Sequence, residues 1–146
     1  MHGLHLTGDL SGCRCEPALL TDVAVLEAAC VDAVKAAGLV QVNRLFHVFA
    51  AGTDAFAAGA EAVAADLDAL PAAPDGLAPS SGITGVVLLA ESHLAVHTWP
   101  ELASVTLDVY VCNYGGDNSA KAQRLFDGLI ALFSPAQVQR NKLTRG

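Results

Sequence analysis

The residues best able to do chemistry lie close together, between Gly85 and Cys112. The candidate residues in this window are one serine, two histidines, a cysteine and three carboxylates: Glu91, Ser92, His93, His97, Glu101, Asp108 and Cys112. An imidazole beside a hydroxyl or a thiol can move protons near neutral pH and can activate a nucleophile. Taken singly, each of these residues is better explained as an ordinary turn, core or surface residue. Ser92 does not stand in a G-x-S-x-G turn, which argues against an α/β-hydrolase nucleophile.

A regular order of predicted elements surrounds this window. Alternating apolar residues predict strands, and apolar residues at three- and four-residue steps predict helices. The predicted strands are Gly3–Thr7, Leu39–Phe49, Gly85–Leu89, Leu94–Trp99, Leu102–Val111 and Gln137–Leu143, and the predicted helices are Leu19–Ala37 and Ser119–Phe133. Hairpin-linked strands with few helices predict an α+β fold, a two-layer sandwich of a mainly antiparallel sheet with helices on one face.

The spacing of Ser92 and His97 raises a geometric question. Side chains alternate between the two faces of a straight strand, so residues five positions apart point to opposite sides. If the two act together, a turn or bulge at Glu91–His93 is needed to bring them to one side. Alternation in the next strand places Cys112 with the polar Asp108, away from the apolar side of that strand.

The segment Ala50–Ser81 differs in composition from the rest of the chain. Its first half is rich in alanine, and an apolar stripe predicts a helix over Thr53–Leu70. Its second half contains several prolines and serines, which predict a loop. The parts on either side are too short to be comfortable separate domains, so we interpret residues 1–146 as a single domain with an insertion at 50–81.

Composition restricts the classes of function. The chain has 146 residues, of which 53% are hydrophobic and 16% charged, which favours a packed globular protein over a disordered one. A net charge of −7 offers no basic surface for nucleic acid, and no apolar run approaches a membrane span. No signal peptide is visible, so a cytoplasmic location with free thiols is expected. The Cys13-x-Cys15 pair alone is a weak metal signal, and no metal is expected.

The run GITGVVLLAESHLAVHTWPE, from Gly82 to Glu101, resembles the bacterial and archaeal S-adenosylmethionine decarboxylases. Members of that family typically show G-[VI]-[ST]-G-V, then E-S-H, then H-T-W-P-E, with a cysteine 20 residues after the serine. Here that serine is Ser92 and that cysteine is Cys112. The opening His5-Leu6, Cys13 and the run Phe46-His47-Val48-Phe49 resemble further family features. The resemblance covers nearly the whole chain except the insertion.

The resemblance implies a proenzyme that cuts itself. In this family the serine hydroxyl attacks the preceding carbonyl, and an elimination then leaves a pyruvoyl group, the covalent cofactor. Carried over, Ser92 attacks the carbonyl of Glu91, and the products are a β chain of residues 1–91 and an α chain of residues 92–146. The pyruvoyl group derived from Ser92 forms a Schiff base with the substrate amine and acts as an electron sink.

The other site residues follow from the same resemblance. His97 matches the processing base, and Thr84 matches a hydroxyl that supports the ester intermediate. Cys112 matches the proton donor that acts after carbon dioxide leaves. Phe49 and Glu101 match residues expected to contact the adenine and the ribose hydroxyls of S-adenosylmethionine.

The resemblance further implies a homodimer with two sheets face to face, and a product that is the aminopropyl donor for spermidine. The chain departs from the family where Leu102-Ala103-Ser104 replaces Tyr-Gly-Tyr and where Asn113 replaces glycine. Two alternatives therefore stay open. One is a pyruvoyl-dependent decarboxylase of another amino acid, such as arginine or ornithine. The other is an uncleaved relative that binds a ligand or regulates a partner.

Overall fold

The computed structural model describes residues 2–49 and 82–146, and one antiparallel sheet of six strands organises them. In chain order the elements are β1 (Gly3–Ser11), α1 (Ala18–Thr21), α2 (Val23–Ala36), β2 (Gln41–Val48), β3 (Ile83–Leu89), β4 (Ser92–Trp99), β5 (Ser104–Cys112), α3 (Ser119–Phe133) and β6 (Gln137–Arg145). The strand order is β2-β3-β4-β5-β1-β6. Both ends of the described chain thus belong to the same sheet, because β1 pairs with both β5 and β6.

One face of the sheet is buried under α2 and α3. Every second residue of β5 is buried, namely Val105, Leu107, Val109 and Val111. The apolar stripe of α3 completes this core with Ala122, Leu125, Phe126, Leu129 and Phe133. Burial of such alternating side chains is the main favourable contribution to folding. The predicted α+β architecture with helices on one face of an antiparallel sheet is therefore confirmed.

The opposite face of the sheet, called the open face from here on, carries the intervening side chains. Large apolar residues on it are substantially exposed: Leu45, Leu88, Trp99 and Leu143. Polar residues of β4 and β5 share this face with them. Leu45 and Leu88 lie on the neighbouring strands β2 and β3, and exposed apolar side chains that cluster on one face usually mark a surface that another molecule covers.

Some element bounds differ from the prediction. The expected helix over Leu19–Ala37 is broken at Asp22, whose backbone is extended and whose carboxylate accepts from the N–H groups of Ala24 and Val25. An aspartate that caps a new helix stabilises this break. β4 begins at Ser92, two residues before the predicted Leu94.

A second difference follows β4. Residues Pro100–Leu102 form a 3₁₀ turn in place of the predicted start of a strand, and Ala103 is left-handed with φ 45° and ψ 45°. β5 consequently begins at Ser104. The helix predicted over Thr53–Leu70 and the loop after it lie outside the described residues.

Candidate active site

The β3–β4 hairpin presents the bond between Glu91 and Ser92 at its turn. Leu89 pairs with Ser92, which leaves only Ala90 and Glu91 to reverse the chain. Ser92 has φ 150°, on the positive side that residues with a side chain seldom adopt. Such strained positions concentrate at functional sites. The predicted cleavage point therefore coincides with a tight turn and an unusual backbone angle.

The end of β5 lies against this turn. The backbone N–H of Cys112 donates to the carbonyl oxygen of Glu91 at 2.8 Å. A donor in this position polarises the carbonyl and can stabilise negative charge that develops on its oxygen. Cys112 itself is half-buried. Three predicted site residues, Glu91, Ser92 and Cys112, are thus brought together, and we call them the turn group.

Three other predicted residues meet at the far end of the hairpin. Thr84 pairs with His97 across β3 and β4, and Thr84 Oγ1 lies 2.9 Å from His97 Nδ1. Phe49 lines a recess of about 310 Å³ together with Thr84, His97 and Trp99. Glu101 follows in the 3₁₀ turn directly after Trp99. We call Thr84, His97 and Phe49 the recess group.

The turn group and the recess group are separate within one chain. The β3–β4 pairing runs without a shift from Leu89↔Ser92 to Thr84↔His97, and the β4–β5 pairing is equally continuous. Five steps along an unbroken strand place the Cα atoms of Ser92 and His97 about 16 Å apart. The structure therefore has a turn at Ala90–Glu91 but no bulge at Glu91–His93, and it does not bring Ser92 and His97 of one chain to one side. A two-residue turn and continuous pairing on both sides of β4 fix its register and leave no room for an extra residue.

A polar cluster lies on the open face near the turn group, and sequence reasoning did not assign it a role. His5 Nε2 donates to both carboxylate oxygens of Asp108, at 2.8 and 2.9 Å, and His93 Nε2 lies 3.5 Å from Asp108 Oδ1. The rings of both histidines contact Tyr110, and Arg145 stacks over the same ring at 5.0 Å. The alternating polar residues of β5 indicate that Asp108 and Tyr110 share one face. The sequence does not show that β1 pairs with β5, so it does not predict that His5 joins them.

The remaining cysteines lie outside both groups. Burial raises the pKa of the Cys30 thiol to about 12, and burial also raises the pKa of Cys13 and of Cys15. Within residues 2–49 and 82–146, no three His, Cys, Asp or Glu side chains are placed to hold a metal ion. In the same two ranges, no helix has the length and apolar character to cross a membrane.

The fold and the site define the class of this protein, an α+β protein whose sheet has one helix-covered face and one open face beside the candidate reactive residues. A sequence model described as S-adenosylmethionine decarboxylase matches residues 4–146. The chain therefore belongs to the S-adenosylmethionine decarboxylase family, and the resemblance drawn from the E-S-H and H-T-W-P-E runs is confirmed.

Individual relatives agree with this assignment. The S-adenosylmethionine decarboxylase proenzyme of Picrophilus torridus is 51% identical over 65 residues, which are 44% of this chain and 47% of that protein. The proenzyme of Parasynechococcus marenigrum is 31% identical over 109 residues, 75% of this chain and 60% of that one. The chain thus spans about half of the curated relatives it matches. The crystal structure of the adenosylmethionine decarboxylase from Aquifex aeolicus is 30% identical, with a TM-score of 0.70 over 99% of this chain and 90% of that one.

Proposed function

We propose that this protein is a self-processing, pyruvoyl-dependent decarboxylase of S-adenosylmethionine whose product is an aminopropyl donor for spermidine. The observation that carries the proposal is the hydrogen bond from the Cys112 N–H to the Glu91 carbonyl at the turn before Ser92. It places the backbone of the residue that bears the thiol against the carbonyl that Ser92 would attack. Family membership and the proenzyme names of the relatives support the same reading.

The processing reaction follows from these groups. The Ser92 oxygen attacks the carbonyl carbon of Glu91, the C–N bond breaks, and the hydroxyl proton ends on the freed Ser92 nitrogen. A base then removes the Ser92 α-proton, the bond between Ser92 Cβ and the ester oxygen breaks, and Glu91 leaves as a carboxylate. Water replaces the nitrogen of the resulting dehydroalanine, ammonia leaves, and residue 92 becomes a pyruvoyl group. The fragments are residues 1–91 and 92–146.

The turn group fits this prosthetic group, because Ser92 supplies its carbons and the Cys112 amide already binds the carbonyl that must be released. The pyruvoyl carbonyl supplies an electron-withdrawing partner for a substrate amine. Cys112 holds the proton that the product carbon takes up after carbon dioxide leaves. None of these steps requires a metal ion.

We infer that the site is completed by a second copy of the chain. His97 is the proposed base, yet its Cα lies about 16 Å from that of Ser92 along one continuous strand. His97 of the partner subunit can reach the Glu91–Ser92 bond, at the turn that ends the hairpin, if two open faces meet with their hairpins opposed. The exposed Leu88 and Trp99 on that face, 47% and 46% exposed, favour such a contact. The partner's Phe49 and Glu101 then lie on the substrate side of the same composite site.

The first test is intact mass under denaturing, reducing conditions, with Ser92→Ala as the control. We expect two fragments split between Glu91 and Ser92, with a carbonyl at the start of the second, and a single species for the variant. A wild-type chain that stays whole on prolonged incubation contradicts the proposal and favours an uncleaved binding relative. Release of labelled carbon dioxide from S-adenosylmethionine, compared with arginine and ornithine, then identifies the substrate.

A further inference from the structure

We propose that Asn118 is a positioning residue for self-cleavage, which ties the Glu91 side chain to the end of β5; this rests on the proposed function. Asn118 is only 7% exposed, and among the residues that the structure describes it is one of two buried polar or charged ones, with Thr98. A buried amide is retained at low cost only when its hydrogen bonds are made. The hydrogen-bond partners of the Asn118 side chain therefore indicate its structural role.

The Asn118 side chain binds the β3–β4 turn and the end of β5, and it does not cap α3, the helix that follows it. Its Nδ2 donates to Glu91 Oε2 and, at 3.3 Å, to the carbonyl oxygen of Cys112. An asparagine before a helix ordinarily caps that helix with its side-chain oxygen, but Asn118 makes no such bond to α3. Asp117 accepts from the Ser119 N–H in its place. The amide is thus free to join the residue before the cleaved bond to the residue that bears the thiol.

The loop around Asn118 is built to hold this arrangement. Asn113 Oδ1 accepts from the Asn118 N–H at 3.0 Å, and Asn113 Nδ2 donates to Ser119 Oγ at 3.1 Å. On the other side of the carboxylate, a Cβ on Gly115 would stand 2.6 Å from Glu91 Oε1. A side chain at position 115 would therefore push the Glu91 carboxylate aside.

These hydrogen bonds link Glu91, Asn118 and Cys112 in a ring that includes the carbonyl of Glu91, the group that Ser92 attacks. Glu91 binds Asn118 through its carboxylate, Asn118 binds the Cys112 carbonyl, and the Cys112 N–H returns to the Glu91 carbonyl. We expect loss of the Asn118 contacts to let the Glu91 carbonyl move away from the Cys112 N–H. Misplacement by about 1 Å costs on the order of a hundredfold in rate in well-positioned reactions. Asn118 itself touches no reacting atom in this ring.

The main test compares Asn118→Asp with Gln123→Glu in cleavage rate, measured by intact mass. The Asn118 variant places a carboxylate against Glu91 and loses both donated bonds, so we expect cleavage to slow by about tenfold to a hundredfold. Gln123 of α3 also donates its amide to a carboxylate, that of Asp127 at 3.1 Å, but at the surface and away from the open face, so the same chemical change there leaves the rate within about twofold. Equal rates for the wild type and Asn118→Asp overturn the proposal, as does equal slowing of both variants.

A pH series separates positioning from a general loss of structure. Two carboxylates in contact raise the pKa of one of them, so acidification neutralises the repulsion in Asn118→Asp. The ratio of variant to wild-type rate should rise as the pH falls from about 8 to about 5. Lys121 lines a small pocket together with Glu91 and Asn118, and Asp117 is adjacent in sequence to Asn118, but both charges are present in each protein and cancel in the ratio. A ratio that does not change with pH contradicts the proposal.

Two further variants address the Glu91 contact directly. In Glu91→Gln/Asn118→Asp the donor and acceptor are exchanged, so this double variant should cleave faster than Asn118→Asp alone. Gly115→Ala keeps every hydrogen-bonding group yet displaces the Glu91 carboxylate, and should slow cleavage with an unchanged thermal midpoint. It tests the proposal even if Asn118 variants fail to fold, and wild-type kinetics in Gly115→Ala overturn it. The two possible failures are distinguishable. A wild-type chain that never cleaves contradicts the proposed function, whereas a wild type that cleaves no faster than its variants contradicts only the role of Asn118.

Discussion

The backbone N–H of Cys112 and the carbonyl oxygen of Glu91 meet at 2.8 Å where the β3–β4 turn touches the end of β5. The contact joins the proposed proton donor to the proposed cleavage point through the main chain, so no side-chain substitution at either residue removes it directly. We therefore expect both self-cleavage and the later decarboxylation to require the same contact between the β3–β4 turn and the end of β5. Thr84 and His97, by contrast, meet each other at the opposite end of the hairpin.

Mixed dimers test whether the base comes from a second copy. We expect Ser92→Ala and His97→Ala each to stay uncleaved when expressed alone. When the two are co-expressed, the His97→Ala chain keeps its serine and can receive His97 of the partner subunit, so about half of the mixed dimers' chains should be cut, because each mixed dimer holds one intact composite site. Intact mass with distinct tags identifies the chain that is cut. No cleavage in the mixture contradicts the composite site.

The hydroxyl of Thr84 is expected to orient His97. Thr84→Val removes the partner of Nδ1 while keeping the shape of the side chain, and should slow processing by about fivefold to tenfold, the value of one ordinary hydrogen bond. Thr84→Ser keeps the hydroxyl and serves as the matched control, with a rate near that of the wild type. The pH dependence of cleavage is measured for all three. Identical profiles for the valine and serine variants would show that the hydroxyl has no role.

Replacing Ala103 by glycine should stabilise the fold. Ala103 occupies a left-handed conformation, with φ 45° and ψ 45°, that costs a residue with a Cβ about 1 kcal/mol. Part of this gain is lost because glycine makes the unfolded chain more flexible, so a net increase of about 0.5 kcal/mol in the free energy of unfolding is expected. Urea denaturation in the uncleaved Ser92→Ala background measures it. Ala95→Gly, in the extended strand β4, should instead destabilise.

The stability of the fold should fall at high pH because of Cys30. Its pKa is about 12 in the folded protein and 9.0 in an ordinary setting, so the unfolded state releases this proton first. The contribution is intact below about pH 9 and is lost as the pH rises towards 12, by up to roughly 4 kcal/mol over three units. Cys30→Ala should be less stable at neutral pH, because it leaves a small cavity, but should lose less stability between pH 9 and 11. Parallel slopes for the two proteins contradict this prediction.

The sequence by itself determined the local elements and the reactive residues. Alternation in β5 and the helical spacing of α3 are properties of neighbouring residues, so both elements could be predicted, and α3 was predicted with the bounds it has. The E-S-H and H-T-W-P-E runs likewise placed Ser92 and His97 and identified the family. The sequence does not predict the break at Asp22. The apolar stripe continues past Asp22 and favours one unbroken helix, and only packing against the rest of the protein decides that Asp22 instead caps a second helix.

Only the tertiary structure decided which of these residues meet. The register of β4 is set by pairing on both sides, and it separates Ser92 from His97 although the two are near in sequence. The contact of Asn118 with Glu91 joins residues 27 positions apart, and that of His5 with Asp108 joins residues 103 positions apart. Neither leaves a local pattern, because strand order and loop packing bring them together only after the sheet has formed.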